Sequence, residues 1–354
     1  MHVVLAANQR SGRGRGLQVA RALTDALRGA GHVVNTVAIG QPAASLLARG
    51  LLTHADLLVI AGGDGTLNRL AEPAARYATP VYHAPLGTEN LIAREFGMDL
   101  RPETLLAAIE RWQVAHVDLA RANDRSFLIM ASLGPDASVI HRLDRIRTRT
   151  IGHAAYVYPT LVEVLRPTFP RFSAEVDGRE VVRDARGLLV VSNCRRYAMN
   201  VNPSPNARMD DGLLDLAFFP CSTSAGAALW GLRSRVRLAA RSRNAVIARG
   251  REIVIRPASG TNLVYQIDGE APGEGARTDE LRLTLEPNAL PILLPVATTA
   301  PVRAHPGPKQ GRHDAGDQPL RVEIPERSET TSPAHTTILT GESPNECATS
   351  RSSS

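Results

Sequence analysis

The chain has 354 residues, more than the roughly 250 to 300 at which one hydrophobic core usually stops growing, so two domains are expected. Hydrophobic residues make up 43% and charged residues 21%, enough for a core without staples; Cys194, Cys221 and Cys347, odd in number and outside any C-x-x-C pattern, exclude a disulfide framework or a zinc site and suit a reducing compartment. The net charge of +6 favours acidic partners such as phosphate-bearing substrates, anionic lipid surfaces or nucleic acid, although Lys309 is the only lysine and biased codon usage explains the arginines equally well.

From the N-terminus, short apolar strands alternate with helical patterns: a strand over 3–7, a helix over 17–28, a strand over 33–39 and a helix near 43–53. The unit repeats with a strand over 57–61, a helix over 66–77, a strand over 80–85 and a helix opening at 90–96. This order predicts a parallel sheet with ligand loops at the carboxyl ends of its strands. After a helix over 102–112, consecutive strands over 115–121, 126–131, 172–176, 187–192 and 214–219 predict a sandwich. Two helical inserts interrupt it, over 137–164 and 225–248; strands resume over 253–256, 263–268 and 281–285, and the apolar stretch 289–296 closes the ordered region. Beyond 299 the chain is rich in Pro, Ser, Thr, Arg and Glu, the composition of a disordered tail. Residues 1–8 are too short a run for a signal-peptide core, and no stretch approaches the ~18 apolar residues of a spanning helix, so membrane contact is expected to be peripheral.

The chemistry concentrates in four loops. Gly62-Gly63-Asp64-Gly65-Thr66 lies between a buried strand and a helix, where glycines allow close approach and a helix N-terminus offers free N–H groups to phosphate. Asp64 is too negative to touch phosphate, so it suits Mg²⁺ or a bridging water; the plain alternative is a glycine turn with an N-capping aspartate. The run from Asn8 to Gly16 joins a strand to a helix with glycines and arginines, as a phosphate grip or merely a solvated loop. Pro85-Leu86-Gly87-Thr88-Glu89-Asn90 follows another strand, and the three loops converge on one sheet edge. Far along the chain, Gln266-Ile267-Asp268-Gly269-Glu270 ends a strand with two carboxylates, as a proton acceptor for an attacking hydroxyl or as an acidic β-turn.

In this order, and together with Pro85 to Arg94, Asp118, Gly134 to Ala137 and Asp211 to Asp215, these motifs resemble the diacylglycerol kinase catalytic family, which includes bacterial lipid kinases and the sphingosine and ceramide kinases. The resemblance covers the chain from residue 1 to about 296. It implies an α/β N-terminal domain with a Rossmann-like, NAD kinase-like parallel sheet over 1–115, completed by 286–298. A C-terminal β-sandwich with helical inserts follows over 116–285, and a disordered tail over 299–354. ATP and Mg²⁺ are the implied cofactors. Gly62, Gly63, Asp64, Gly65 and Thr66 match the nucleotide-phosphate loop, Asn8, Ser11, Gly12 and Arg13 a second phosphate contact, and Gly87, Thr88 and Asn90 a third. Asp268 matches the general base, with Glu270 assisting it or binding magnesium. Asp64 and Asp118 match a magnesium and water network, and Asp211, with carbonyls near Arg208 and Leu213, a structural magnesium site.

Two departures stand out: Gln9 where the family usually has Pro, and Leu91 where it has Asp, so that either Glu89 substitutes or the network is reorganised. The lipid pocket is expected near Leu133, Gly134 and Asp136. Arg142, Arg145, Arg147 and Arg149 on one insert, and Arg233, Arg235, Arg237, Arg241 and Arg243 on the other, suit an anionic membrane or a solvated helix face. The expected enzyme is a lipid kinase in the cytoplasm, peripheral to the inner membrane face, with no nucleic-acid partner and a homodimer open. The alternatives are an NAD kinase-like small-molecule kinase and an inactive nucleotide or lipid sensor.

Overall fold

The computed structural model describes residues 1–8, 11–39, 50–134, 137, 169–258, 262–272 and 277–296. Four strands, β1 (His2–Asn8), β2 (Val33–Ile39), β3 (Leu57–Gly62) and β4 (Val81–Pro85), pair in parallel in the order β2-β1-β3-β4. β3 is buried along its whole length, the continuous apolar run of a strand covered on both faces. Helix α1 (Gly16–Gly29) lays Ala20, Leu23 and Leu27 on the sheet, and α2 (Asp64–Arg76) does so with Leu67, Leu70, Ala71 and Ala74. The short α3 (Leu91–Phe96) packs by β4, and α4 (Pro102–Arg111) packs against α1. β1, β3 and β4 run the same way, so Asn8, Gly62 and Pro85 end on one edge.

The remaining strands are β5 (Val114–Ala122), β6 (Arg125–Phe127), β7 (Met130–Leu133), β8 (Arg171–Val176), β9 (Arg179–Ser192), β10 (Leu214–Pro220), β11 (Val246–Gly250), β12 (Ile253–Pro257), β13 (Leu263–Ile267), β14 (Arg277–Thr278) and β15 (Leu281–Leu293), with helix α5 (Ser224–Arg235) after β10. One layer runs β6-β5-β15-β12-β8, the other β13-β7-β9-β10-β11, and β9 joins them by pairing with β8 before Gly187 and with β10 after it. Phe172, Ile253 and Leu283 from the first layer share a core with Leu189, Leu216 and Leu263 from the second, as a β-sandwich requires.

Three elements differ from the sequence reading. The stretches over 281–285 and 289–296 form a single strand, β15, which keeps its pairing with β5 through a bulge between Glu286 and Leu290. Its first half faces β12 and its last residues reach β4, Ile292 opposite Val81. The strand expected over 126–131 is two, β6 and β7, because the amides of Leu128 and Ile129 between them turn to the carboxylate of Asp268. The helix expected over 225–248 stops at Arg235: Arg237 is left-handed (φ 59°), and 246–250 is the edge strand β11. Most of the helix near 43–53, nearly all of the insert over 137–164 with Asp136 and the first basic cluster, and the tail beyond 299 lie outside the described residues. Among the described residues no helix is long and apolar enough to cross a membrane.

Candidate active site

Three loops meet at the carboxyl edge of the parallel sheet. After β3, Gly63 begins α2 with extended backbone, leaving the first N–H groups of that helix open at the edge. The Asn8 amide donates to Thr66 Oγ1 at 3.1 Å, tying the end of β1 to the first turn of α2. Ser11–Gly14 form a 3-10 turn in which Gly12 abuts Leu86 of the third loop. The backbones of Gly63 and Gly87 pass so closely that a Cβ at Gly87 would lie 2.8 Å from Gly63 Cα, a distance no side chain tolerates. Asn90, left-handed at φ 47°, accepts from Gly87 N at 2.7 Å and donates to Gly87 O at 2.8 Å, closing the loop on itself. Asp64 reaches across from α2: its oxygens accept from Leu91 N at 2.9 Å and Ile92 N at 3.3 Å, capping α3. The capping reading of Asp64 is thus realised, on α3 and not on its own helix.

The two carboxylates from the sandwich arrive at the same edge. Asp268 and Gly269, both at positive φ (48° and 81°), are the centre of a tight turn in which Glu270 N donates to Ile267 O at 2.8 Å. Glu270 comes so near the glycine loop that a Cβ on Gly65 would lie 2.4 Å from Glu270 Oε1, and Arg69 stands 3.7 Å from the other oxygen. Asp268 is half-buried with its carboxylate turned inward. Oδ1 accepts from Ile129 N at 2.9 Å and Met130 N at 2.8 Å, and Oδ2 from Leu128 N at 2.9 Å. Burial pushes this carboxyl up to about 7, opposed by the three backbone donors and reinforced by the nearby Asp64 charge. One lone pair of Oδ2 is left by these bonds, so the group can act on an incoming proton near neutral pH.

Asp118 and Asp211 lie at a different place. Asp118, fully buried on β5, accepts from Gly212 N and Asn288 N, both at 2.7 Å, and so pins the 209–213 loop to the bulge of β15. Burial raises its pKa. Asp211 accepts from Leu213 N at 3.2 Å and pairs with Arg249, which also meets Asp215 at 3.0 Å. Asp215 is pushed up to about 6 by burial, with Arg249 pulling the other way.

A magnesium ion fits these two places unequally. At Asp64 the chemistry is suitable: Mg²⁺ keeps several waters and is held by one or two carboxylates plus substrate phosphates, and Asp64, Asp268 and Glu270 border the phosphate-ready edge. At Asp211 the Arg249 guanidinium lies between Asp211 and Asp215, so a magnesium ion there would have to displace it. Among the described residues no group of three or more His, Cys, Asp and Glu is arranged as a metal cage.

Three supporting residues carry no sequence signal of their own, and a fourth, Gln266, stands in the acidic motif without an assigned role. His83, buried on β4, has Nε2 3.0 Å from Gly62 O, and burial lowers its pKa, so it is a neutral prop beneath the glycine loop. Asn193 donates to Asp118 O at 3.0 Å and Leu128 O at 2.9 Å, joining both carboxylate sites. Gln266 accepts from Gly269 N at 2.8 Å and steadies the turn. Arg249 is one arginine among many in the sequence, and only the β10–β11 pairing of Asp215 with it reveals its role.

A cavity of about 310 Å³ opens beside Gly65 and Glu270, walled by α2 and the β5–β6 turn; Asn68 in its lining has a buried Oδ1 with no hydrogen-bond donor.

Comparison with known proteins matches residues 2–122 to the diacylglycerol kinase catalytic domain, and residues 129–294 to the YegS C-terminal NAD kinase beta sandwich-like domain. A Pseudomonas putida protein named probable lipid kinase YegS-like is 31% identical over 274 residues, 74% of this chain and 84% of that one. A Mycobacterium tuberculosis diacylglycerol kinase is 29% identical over 59% of this chain and 70% of its own. The crystal structure of a diacylglycerol kinase from Bacillus anthracis covers 84% of this chain and 98% of its own at a TM-score of 0.61 and 18% identity, a likeness of fold.

Proposed function

Because this chain belongs to the diacylglycerol kinase catalytic-domain family, we propose that it transfers the γ-phosphoryl group of ATP to a hydroxyl of a membrane lipid, with Asp268 as general base. The observation that carries the reading is the meeting of Gly65 and Glu270: the phosphate-ready edge of one domain and the Asp268 turn of the other form one site. Phosphate oxygens are taken by the open N–H groups at the start of α2 and by the Gly87 loop, whose backbone lies too close to Gly63 for any side chain. Magnesium, when bound with the nucleotide, neutralises charge developing on the phosphates, and Asp64 with Glu270 would hold its water shell. Asp268 Oδ2 takes the proton of the lipid hydroxyl as that oxygen bonds the γ-phosphorus and the bridging oxygen leaves with ADP. The 310 Å³ cavity beside Gly65 suits the nucleotide base. The lipid is reached from the cytoplasmic membrane surface by peripheral contact.

The test is incubation of the full chain with Mg²⁺ and γ-labelled ATP, with a native lipid extract in one arm and NAD in the other. Label in the lipid fraction, lost in Asp268→Asn, is the expected result. Label in NAD alone, or none despite ATP binding, would overturn it.

A further inference from the structure

A second cavity, of about 450 Å³, opens where α3 meets the loop after β9, and its lining carries Arg94, Arg195, Arg196, Arg235 and Arg237 with no Asp or Glu among the described residues. Five guanidiniums against the two carboxylates that border them, Glu89 and Glu95, leave the cavity net positive, which favours an anion there. Glu95, 17% exposed, takes Arg195 at 2.9 Å and Arg196 at 2.8 Å, and Glu89 takes Arg94 at 3.2 Å, fixing these forks in place. Arg94 is also held by Asn200 at 2.7 Å. Leu91 forms part of the wall, at the position where the family usually carries Asp, so a carboxylate that would repel an anion is replaced by a methyl-ended side chain.

Arg235 and Arg237 come from the end of α5, and that segment is also where apolar side chains face solvent: Leu229, Leu232, Val236 and Leu238 are 56%, 61%, 55% and 49% exposed. Trp230 holds the helix down by stacking on Phe219 at 5.0 Å, which leaves Leu229 and Leu232 outward. An apolar surface bordering an arginine-lined cavity matches a molecule with a charged head and greasy tails.

We propose that this cavity binds the phosphate of an anionic phospholipid headgroup, with the Leu229 to Leu238 segment against the bilayer. Arginine forks match phosphate oxygens bidentately, which a lysine cluster would not. The proposal rests on the lipid-kinase reading and deepens it: the headgroup belongs either to the acceptor lipid itself or to a second lipid that positions the enzyme.

The test uses short-chain lipids that stay monomeric in water. Dihexanoyl phosphatidylglycerol and dihexanoyl phosphatidic acid are titrated calorimetrically into the full chain, with dihexanoyl phosphatidylcholine as the zwitterionic control. Both anionic lipids are expected to bind at least about tenfold tighter than the control, and Arg235→Gln/Arg237→Gln to lose about tenfold for them with an unchanged melting temperature. Equal affinity for all three, or undiminished binding by a folded double variant, overturns the proposal. The sources separate in the kinase assay. Label entering phosphatidylglycerol places the acceptor's own headgroup in the cavity, whereas label entering only dihexanoylglycerol, faster when phosphatidic acid is added, places a second lipid there. Arginine-dependent binding with no lipid ever labelled would leave the cavity standing and remove the kinase reading alone.

Discussion

Asp268 is the residue on which activity should turn, and its environment makes two separable predictions. Asp268→Asn should lower kcat by about 10²- to 10⁴-fold, the usual worth of a positioned base. It should also lower stability by about 1–3 kcal/mol, because an amide has one oxygen for three backbone donors; thermal melting measures the second effect apart from the first. With its carboxyl pushed up to about 7, Asp268 is protonated in acid, so under the proposed mechanism kcat/KM should fall about tenfold per pH unit below that value and level off above it. A flat profile through this range would assign the proton elsewhere. Gly87→Ala tests the phosphate edge: a methyl 2.8 Å from Gly63 Cα must push the loops apart, so KM for ATP should rise at least about tenfold while melting changes by only about 1–3 kcal/mol, both read on purified protein. At this scale the sequence was informative about residue types and silent about partners. Asp-Gly in a tight turn is legible from composition, but that Asp268 binds the 128–130 amides is a fact of contact between residues about 140 apart in the chain. His83 and Asn193 are hidden for the same reason, being single polar residues inside apolar runs whose partners are backbone carbonyls.

Among the elements, the alternating strands and helices of the first half are legible because a buried parallel strand such as β3 is apolar throughout and its helices repeat at 3.6 residues. The second half reads less well. The long β15 contains Pro287 and Asn288, which punctuate the sequence like a turn, yet the strand absorbs them as a bulge because β5 pairs on both sides of it. Arginines at helical spacing extend the apparent helix after Ser224, but β10 offers an edge that 246–250 fills instead. That edge carries Arg249 to Asp211 and Asp215, where it does the work of a cation between two carboxylates. Arg249→Ala should therefore cost about 1–3 kcal/mol, less than a fully buried pair because the guanidinium is 40% exposed. The sign with pH follows from Asp215, whose pKa in the fold is raised to about 6 from 3.8: its favourable contribution is complete below about 3.8 and lost as pH rises through about 6. Losing Arg249 raises that pKa further, so the destabilisation should be larger at pH 8 than at pH 5 in denaturant unfolding. The reverse order would show that Arg249 does not serve Asp215.

Across the molecule, function depends on β15 carrying the sandwich to the parallel sheet, since its pairing with β4 at one end and β12 at the other brings the Asp268 turn to the Gly62–Thr66 loop. The order of motifs in the sequence announced one cleft; the fold adds that Asp118 pins the 209–213 loop to the bulge of β15. The most direct test is a crystal structure of the full chain with magnesium and a non-hydrolysable ATP analogue. The β- and γ-phosphates should accept from amides at Gly63 to Gly65 and at Gly87, with the γ-phosphorus facing Asp268 Oδ2. Nucleotide bound elsewhere, or a γ-phosphate shielded from Asp268, would contradict the account.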